Sequence, residues 1–558
     1  MNGSVIAVAQ DREEINYIIN KFKNNQELTW LPVNLDTLIY LKLSGKKFIN
    51  PSKYLDNNLH KKGLIGSEKL SKKFKFEKKT HKFLINRFIG IQRKHFNSSF
   101  FLFEVLENFN RLNKIKNIVV SGFINYNFKI PSHNYFITQI LKNSHFKNRL
   151  IILKKQKLIK QETLNFKILD FNKIKNEYIL ISNLGYNFKR IFFALWKKRI
   201  KIITFSQEYL PWYKYIIYRF LGLQIIKIKT SLFKKKIEIK IPDIKFYYKG
   251  KNYSKIISAR KTQILTELQE LKNLSEEIDT NIIKNKPKIV LLNLLRGING
   301  YLSEISNNLD VPCFHISHGT LAYSKNNYSY LYNKIISEEL TTKKNNQFCI
   351  QSKIAKQFAN KYRKKSINPV TGNLIFNYTK SSAKKNILYA VTNRDFNGMH
   401  FYGIEMFYEY FKNLEYLNYL AKSLVDQKII VKPHPTEFKN INNLKRIFTN
   451  LIFTDEKNSS LFKKVNILIS FSSSIIEDSL NSNVPVILFD QWNRYNHCDQ
   501  AEKDFLKKNS ALYYINNKSN LIKCIQTIND SNKFNFEKFV YKSKGNNFKK
   551  IFEKYNIK

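Results

Sequence analysis

Two short stretches hold the residues best suited to chemistry. In "VKPHPTE" (431–437), Lys432 and His434 lie on a turn stiffened by Pro433 and Pro435, directly after an apolar run. Proline fixes φ and cannot donate to a sheet ladder, so a histidine there is held in place. An imidazole N–H and an ammonium both suit a phosphate oxygen. Taken alone, an incidental histidine in a proline-bounded turn explains the tripeptide better. In "ISFSSSIIEDSL" (469–480), the hydroxyls of Ser472, Ser473 and Ser474 stand where a strand gives way to a helix. The open N–H groups of a helix start, together with hydroxyls, make a phosphate site. Ser474 and Glu477 also fit the S-x-x-E capping box, which needs no ligand. That box accounts for one serine and leaves Ser472 and Ser473 for the loop. Glu477 has two open roles, as cap partner or as acceptor for ribose hydroxyls.

Further polar residues follow other apolar runs. "FHISHGTLAY" (314–323) ends a strand at His318, with Gly319 permitting close backbone approach and Thr320 beside it. His315, three residues earlier, reads as a satisfied core histidine. "LLNLLRGINGY" (291–301) places Arg296 and Gly297 at another strand end, where Arg296 is either a clamp for an anion or a solvated arginine. "ILYAVTNR" (387–394) carries Asn393 and Arg394 past a further strand. Glu208 in "ITFSQEYLPWY" (203–213) stands where a general base could take a proton from an acceptor hydroxyl, although a surface carboxylate is the commoner explanation. Thr371, Gly372 and Asn373 read as a structural turn between domains.

The elements that must position these residues alternate. Short β-branched runs at 4–10, 117–123, 149–155, 177–185 and 200–209 are separated by amphipathic segments. The same rhythm resumes at 286–297, 312–320, 384–396, 428–435, 465–474 and 484–492. This pattern predicts an α/β fold with parallel sheets, whose ligands lie outside the carboxyl ends of the strands. Residues 264–285 predict an amphipathic helix. Residues 225–260 are basic and alternate with period two, which reads as a β-rich edge or insertion. A polar stretch near 378–385 sets the expected boundary: an N-terminal domain over 1–380, a C-terminal domain over 381–535, and a tail or helix over 536–558. Neither G-x-G-x-x-G nor G-x-x-x-x-G-K-[ST] occurs, which disfavours common dinucleotide and P-loop sites.

Composition narrows the class. The chain has 558 residues, 43% of them hydrophobic, which is too long for one core. The net charge is +54, with lysines scattered rather than blocked. Biased residue usage is the simpler cause, yet so basic a chain will adhere to anionic lipid. No nucleic-acid-binding motif accompanies the charge, so nucleic acid is not expected. The four cysteines form no C-x-x-C pair. They suit a reducing cytoplasm. Acidic residues come too early in the N-terminus for a secretory signal. No apolar stretch of about 18 residues appears, so membrane contact is expected to be peripheral.

The motif order H-G-T, T-G-N, K-P-H-P, S-F-S-S-S-I-I-E and N-V-P-V-I-L-F-D over roughly 286–500 resembles GT-B glycosyltransferases of bacterial surface polysaccharide synthesis. That group includes capsular Kdo transferases, polysialyltransferases and CDP-glycerol glycerophosphotransferases. The resemblance implies a GT-B fold, two Rossmann-like domains facing a cleft, with a nucleotide-sugar donor in the C-terminal domain. It implies that Lys432, His434, Pro435, Ser472, Ser473, Ser474 and Glu477 bind the donor nucleotide and phosphate. Ser470-Phe471 stands where the glycerophosphotransferases usually carry aspartate-tyrosine. Catalytic roles fall to Glu208 and His318, and Arg296, Gly297, Gly319, Thr320, Asn393 and Arg394 are further cleft candidates. The acceptor it implies is a glycan or lipid-linked glycan, expected at the inner face of the membrane. No metal or other cofactor is expected, since no Asp-x-Asp dyad follows a strand. A nucleotide-sugar epimerase of the same fold and a non-catalytic polyanion-binding protein are the alternatives.

Overall fold

A computed structural model describes the chain from residue 3 to residue 555. Outside it lie residues 23–26, 78–79, 123–136, 154–176, 182–190, 192–200, 207–212, 214–215, 218–219, 221–222, 228–240, 242, 294, 318–320, 341–345, 365–366, 377–385, 393–394, 397–403, 405, 425 and 542–551. The expected boundary at 380/381 therefore falls outside the described residues, as do Glu208, His318, Gly319, Thr320, Asn393 and Arg394.

Among the described residues the chain builds three parallel sheets. The first contains β1 (Ser4–Ala9), β2 (Leu28–Pro32), β3 (Ile115–Val120) and β4 (Leu150–Ile152), in the order β2-β1-β3-β4. The second contains β5 (Tyr178–Ile181), β6 (Lys201–Ser206) and β7 (Leu223–Lys227). After a small antiparallel hairpin, β8 (Tyr247–Tyr248) and β9 (Lys251–Asn252), it gains β10 (Ile289–Leu292), β11 (Cys313–His315) and β12 (Gln347–Phe348). Its order is β12-β11-β10-β5-β6-β7. The third contains β13 (Asn386–Tyr389), β14 (Ile429–Val431), β15 (Ile452–Phe453), β16 (Val465–Ser470), β17 (Val486–Phe489) and β18 (Leu512–Ile515), in the order β15-β14-β13-β16-β17-β18.

The second and third sheets thus share one plan. Counted within each sheet, both run 3-2-1-4-5-6, the Rossmann order. The α/β class of the GT-B fold is as the sequence implied, and the N-terminal part carries an additional four-stranded sheet. Central strands are fully buried, as "IVLL" and "VILF" show, because helices cover both faces of a parallel sheet. The segment read as a β-rich edge resolves, where described, into edge strand β7, the hairpin and the start of the helix Ser254–Lys284.

Long helices join the first two sheets. The helix Lys82–Asn113 packs on Asn57–Ser71 and on Ser254–Lys284. Phe96 meets Phe246, Tyr248 and Tyr253 with ring centroids 4.9–5.6 Å apart. Gly66 makes this approach possible, since a Cβ there would stand 2.5 Å from the Phe96 ring. Beyond the third sheet the chain turns back. Lys353 N–H donates to Phe539 O at 2.9 Å, Phe552 is buried beside Ile289 and Phe314, and Tyr555 packs on Phe314 at 5.8 Å. The last described residues therefore rest on the second sheet.

Candidate functional site

A doubly wound sheet opens a crevice where its strand order reverses. In the third sheet that point lies between the carboxyl ends of β13 and β16. Ser470, fully buried, spans it by donating to Ala390 O at 2.6 Å. The turn at 432–437 leaves β14 and the serine loop leaves β16, so they flank β13 on either side. Strands lie about 4.8 Å apart, which starts the two loops roughly 10 Å from one another on one rim of the sheet.

His434 is half-buried and caps the short 3-10 helix Pro435–Asn440. Its Nδ1 accepts from Thr436 N–H at 3.4 Å and lies 2.9 Å from Thr436 Oγ1. A nitrogen that accepts from a backbone amide carries no proton. The tautomer that keeps this contact bears its N–H on Nε2, as a donor. Pro435 at the first helical position needs no N–H partner. Lys432 points elsewhere: its ammonium donates to Glu456 O and stands 5.6 Å from the Phe438 ring. Burial draws its pKa below the usual lysine range, against the pull of Asp455, Glu456 and Asp478.

The serine loop departs from the capping-box reading. Ser474 is the N-cap of the helix Ile475–Asn481, yet its side chain makes no capping hydrogen bond. The Ser473 hydroxyl accepts weakly from Ile475 N–H at 3.5 Å. Glu477 is buried and accepts from the hydroxyl of Ser352, which itself caps the helix Lys353–Tyr362 of the second unit. The physical reason is competition, because a buried carboxylate takes the hydroxyl that packs against it. Neither the capping-box role nor an exposed ribose-binding role describes Glu477 here; it lies in the junction between two units.

Asp490, after β17, is a residue that motif reading passed over. Its Oδ2 accepts from Arg494 N–H and Tyr495 N–H at 2.6 Å each and from Tyr514 Oη at 3.1 Å. Its Oδ1 is buried with no partner among the described residues, and burial pushes its pKa up to about 6. The loop it folds joins all three units. Arg494 holds Glu409 through two bonds of 2.6 and 2.8 Å and reaches Asn57 at 3.2 Å. Asn496 N–H donates to Ser329 at 2.8 Å, and Asp499 accepts from Ser324 at 2.6 Å. The carboxylate at the end of "NVPVILFD" was the available signal.

The first sheet meets the same rim. Arg12 donates to Asp36 at 2.9 Å and to Asn440, at the end of the His434 turn, at 3.2 Å. Phe396 N–H donates to Val33 O at 3.0 Å. The first sheet also reverses its order between β1 and β3, and Glu14 is buried there. Its carboxylate accepts from Gln10 N–H at 2.8 Å and from Ser121, while burial lifts its pKa to about 7. In "AVAQDREE" the signal was hidden, because Asp11 and Glu14 also read as an ordinary helix start. Asp11 does cap that helix, accepting from Glu14 N–H at 2.9 Å.

At the second sheet's reversal point, between β5 and β10, the described residues past β10 pair with other side chains of the protein. Arg296, read as an anion clamp, donates to Glu339 at 3.0 Å, and Lys94 reaches the same oxygen at 3.0 Å. Burial draws the Arg296 pKa down and brings Lys94 to about 7. An arginine already bound to a buried carboxylate is not poised as a clamp, which corrects that reading. Gly297 holds φ at 55° and opens the helix Ile298–Asn308, a backbone role. His315 is buried with Nε2 3.3 Å from Asn293 O, as expected of a core histidine.

Comparison with known proteins bears on the region that holds the His434 turn and the serine loop. Residues 361–551 match the family described as CDP-Glycerol:Poly(glycerophosphate) glycerophosphotransferase. This segment is about a third of the chain, and it is similar to a family of transferases, in line with the motif resemblance. No curated protein matches the chain. Among solved structures, the UDP-GlcNAc 2-epimerase from Methanocaldococcus jannaschii aligns at 14% identity, over 68% of this chain and 99% of its own, with TM-score 0.40. An Anabaena protein in complex with UDP and glucose aligns at 9% identity, over 64% and 90%, with TM-score 0.36. A calicheamicin glycosyltransferase aligns at 10% identity, over 64% and 91%, with TM-score 0.36.

Proposed function

We propose that the protein transfers a group, a sugar in the first instance, from a CMP-, CDP- or UDP-linked donor to a growing surface polysaccharide or lipid-linked glycan. The observation that carries this reading is the pairing of the His434 turn and the Ser472–Ser474 loop on either side of β13, at the reversal point of a Rossmann-ordered sheet. There the Nε2–H of His434 and the serine hydroxyls are donors to the donor's phosphates. Charge grows on the leaving phosphate as the bond breaks, so these hydrogen bonds strengthen mainly in the transition state. The C-terminal family match supports the same donor class and also favours CDP-glycerol as a donor for this site. Glu208 and His318 keep the roles that sequence assigns them, as base and as cleft histidine on the acceptor side.

The protein works at the inner face of the cell membrane, in building the capsule or envelope. No described helix is long and apolar enough to cross a membrane. The test is a thermal-shift series with CMP, CDP, UDP and GDP. A ligand at 100 times its Kd stabilises the folded state by about 2.7 kcal/mol. One cytidine or uridine nucleotide should raise the melting temperature, and His434→Ala should abolish that rise. If no nucleotide shifts the transition, the donor-site assignment fails.

A further inference from the structure

A cavity of about 410 Å³ lies beside the first sheet, apart from the crevices described above. Four parts of the chain wall it. Phe103 and Glu107 come from the helix Lys82–Asn113, and Asn143 and His145 from the connection between the helix Ile137–Lys142 and β4. Lys251 comes from the β8–β9 hairpin and Lys255 from the first turn of the helix Ser254–Lys284. Asn143 and His145 lead into β4, so the cavity sits at the amino end of that strand. The first sheet meets the His434 turn at its opposite, carboxyl rim. A six-residue strand such as β1 spans about 20 Å, which keeps the two rims apart.

Its volume is that of a small-molecule site, and the polar groups in its wall say what kind of molecule fits. Glu107 is already committed. Its Oε1 lies 2.9 Å from His145 Nε2 and its Oε2 2.6 Å from Lys251 Nζ, which also holds Glu104 at 2.6 Å. Against the pull of burial, the hydrogen bonds from His145 and Lys251 hold the Glu107 carboxyl below the usual carboxylate range. A carboxylate only accepts, so His145 donates from Nε2 and the neutral ring keeps Nδ1 as an acceptor. Asn143 donates its amide N–H to Gln139 O at 2.9 Å and keeps Oδ1. Lys255 is exposed, with no hydrogen bond or ion pair among the described residues. Two uncommitted acceptors match O–H donors, and an uncommitted ammonium matches an anion. An inorganic anion brings too few hydroxyls for this wall, and a neutral sugar brings no charge.

We propose that this cavity is a second ligand site, for a monosaccharide bearing one anionic group, with Lys255 on the anion and His145 Nδ1 and Asn143 Oδ1 on its hydroxyls. The proposal goes beyond the transferase reading and does not rest on it. Calorimetric titration of the full chain with glucose 1-phosphate, glucuronate, glucose and inorganic phosphate tests it. The two anionic sugars should bind, and glucose and phosphate should bind more weakly than either. Lys255→Glu should weaken the anionic sugars by about tenfold or more, the effect of losing one charged hydrogen bond. Lys255 is exposed and uncommitted, so this variant should melt with the parent and keep its nucleotide response. His145→Phe keeps a ring against Phe103 and Phe146, now 5.7 and 4.2 Å from the imidazole, but removes the acceptor, and it should weaken the same two ligands. His434→Ala should leave both affinities as they are, which separates this site from the donor crevice. The proposal is overturned if neither anionic sugar binds, or if either cavity variant binds them as tightly as the parent. Loss of their binding in His434→Ala would overturn it too, by placing the ligand in the donor crevice. So would glucose or phosphate binding as tightly as the anionic sugars, since one half of the recognition would then be idle.

Discussion

The second and third sheets are wound alike, yet their reversal points differ in chemistry. In the third, the crevice is rimmed by half-buried Ser472, Ser473 and Ser474 and by His434, whose Nδ1 lies against its own turn. In the second, the corresponding region holds Asn293 and Arg296, and Arg296 is spent on Glu339. Strand order creates a crevice, and side chains decide whether it is open for a ligand or closed by the protein's own charges. Two Rossmann-ordered sheets therefore do not imply two nucleotide sites.

The comparison breaks most readily at Glu339. It is buried, with Lys94 and Arg296 each 3.0 Å from the same oxygen. Removing the acid leaves cations facing one another without compensation, a loss of about 3–5 kcal/mol. Glu339→Ala should lower the urea midpoint accordingly, while the nucleotide response of whatever remains folded persists. Recovery of a second nucleotide site on loss of Glu339 would instead show the second crevice to be a masked ligand site.

His434→Ala sharpens the same contrast from the other side. Loss of a single donor to developing charge typically costs about 100-fold or more in rate. His434 is half-buried and caps a short 3-10 turn, so its loss should lower the melting temperature by no more than a few degrees. Transfer activity read alongside the melting temperature is the measurement. A variant that unfolds but, where folded, transfers normally would reduce the histidine to a turn former.

How much of this was legible in the sequence follows from what each signal depends on. The parallel strands were readable because a strand covered on both faces is apolar throughout, as in "NILIS" and "VPVILF". The His434 turn and the serine loop were readable because each lies at a strand end and the two occur in a recognisable order. Partners brought together from far along the chain were not readable. The bond from Ser352 to Glu477 and that from Arg494 to Asn57 each cross hundreds of residues or a unit boundary, and local pattern carries no trace of them. For Glu477, a local pattern pointed to the wrong partner. The additional first sheet was hidden for a related reason: its strands repeat the same rhythm as the second, and only pairing separates them.

The first sheet offers a gentler test, because its reversal point carries an acid rather than an ion pair. Burial raises the pKa of folded Glu14 to about 7, against 4.5 for a free glutamate. The folded state thus holds this proton to higher pH than the unfolded chain. That contribution is complete below pH 4.5 and is lost as pH rises through 7. Once protonated, Glu14 needs an acceptor, and the orphan Oε1 of Gln10 supplies one if the Gln10 amide turns over. Glu14→Gln cannot ionise. It should therefore match the parent near pH 5 and exceed it near pH 8, by at most about 3 kcal/mol. Chemical denaturation at the two pH values reads the difference, and a variant less stable at both would show the carboxylate to be required as an anion.

The smallest expected effects lie where the two crevices are tied together. Ser352 bonds Glu477, one turn into the helix that follows the serine loop, and so links the second unit to the donor rim. Ser352→Ala leaves a buried carboxylate oxygen without its hydroxyl, at a cost of about 1–3 kcal/mol. Ser474→Ala removes a hydroxyl that caps nothing and should cost less than about 0.5 kcal/mol. A conventional capping box would instead make Ser474 worth about 1 kcal/mol, like the cap that Ser352 gives its own helix. Denaturation midpoints of the two single variants decide between them. If Ser474 proves the more costly, the serine loop is held by its own helix and its hydroxyls are spent, as Arg296 is spent in the second sheet. If Ser474→Ala costs less than about 0.5 kcal/mol, the Ser474 hydroxyl is left to the ligand, whatever share of the Ser352 loss comes from the cap that Ser352 gives its own helix.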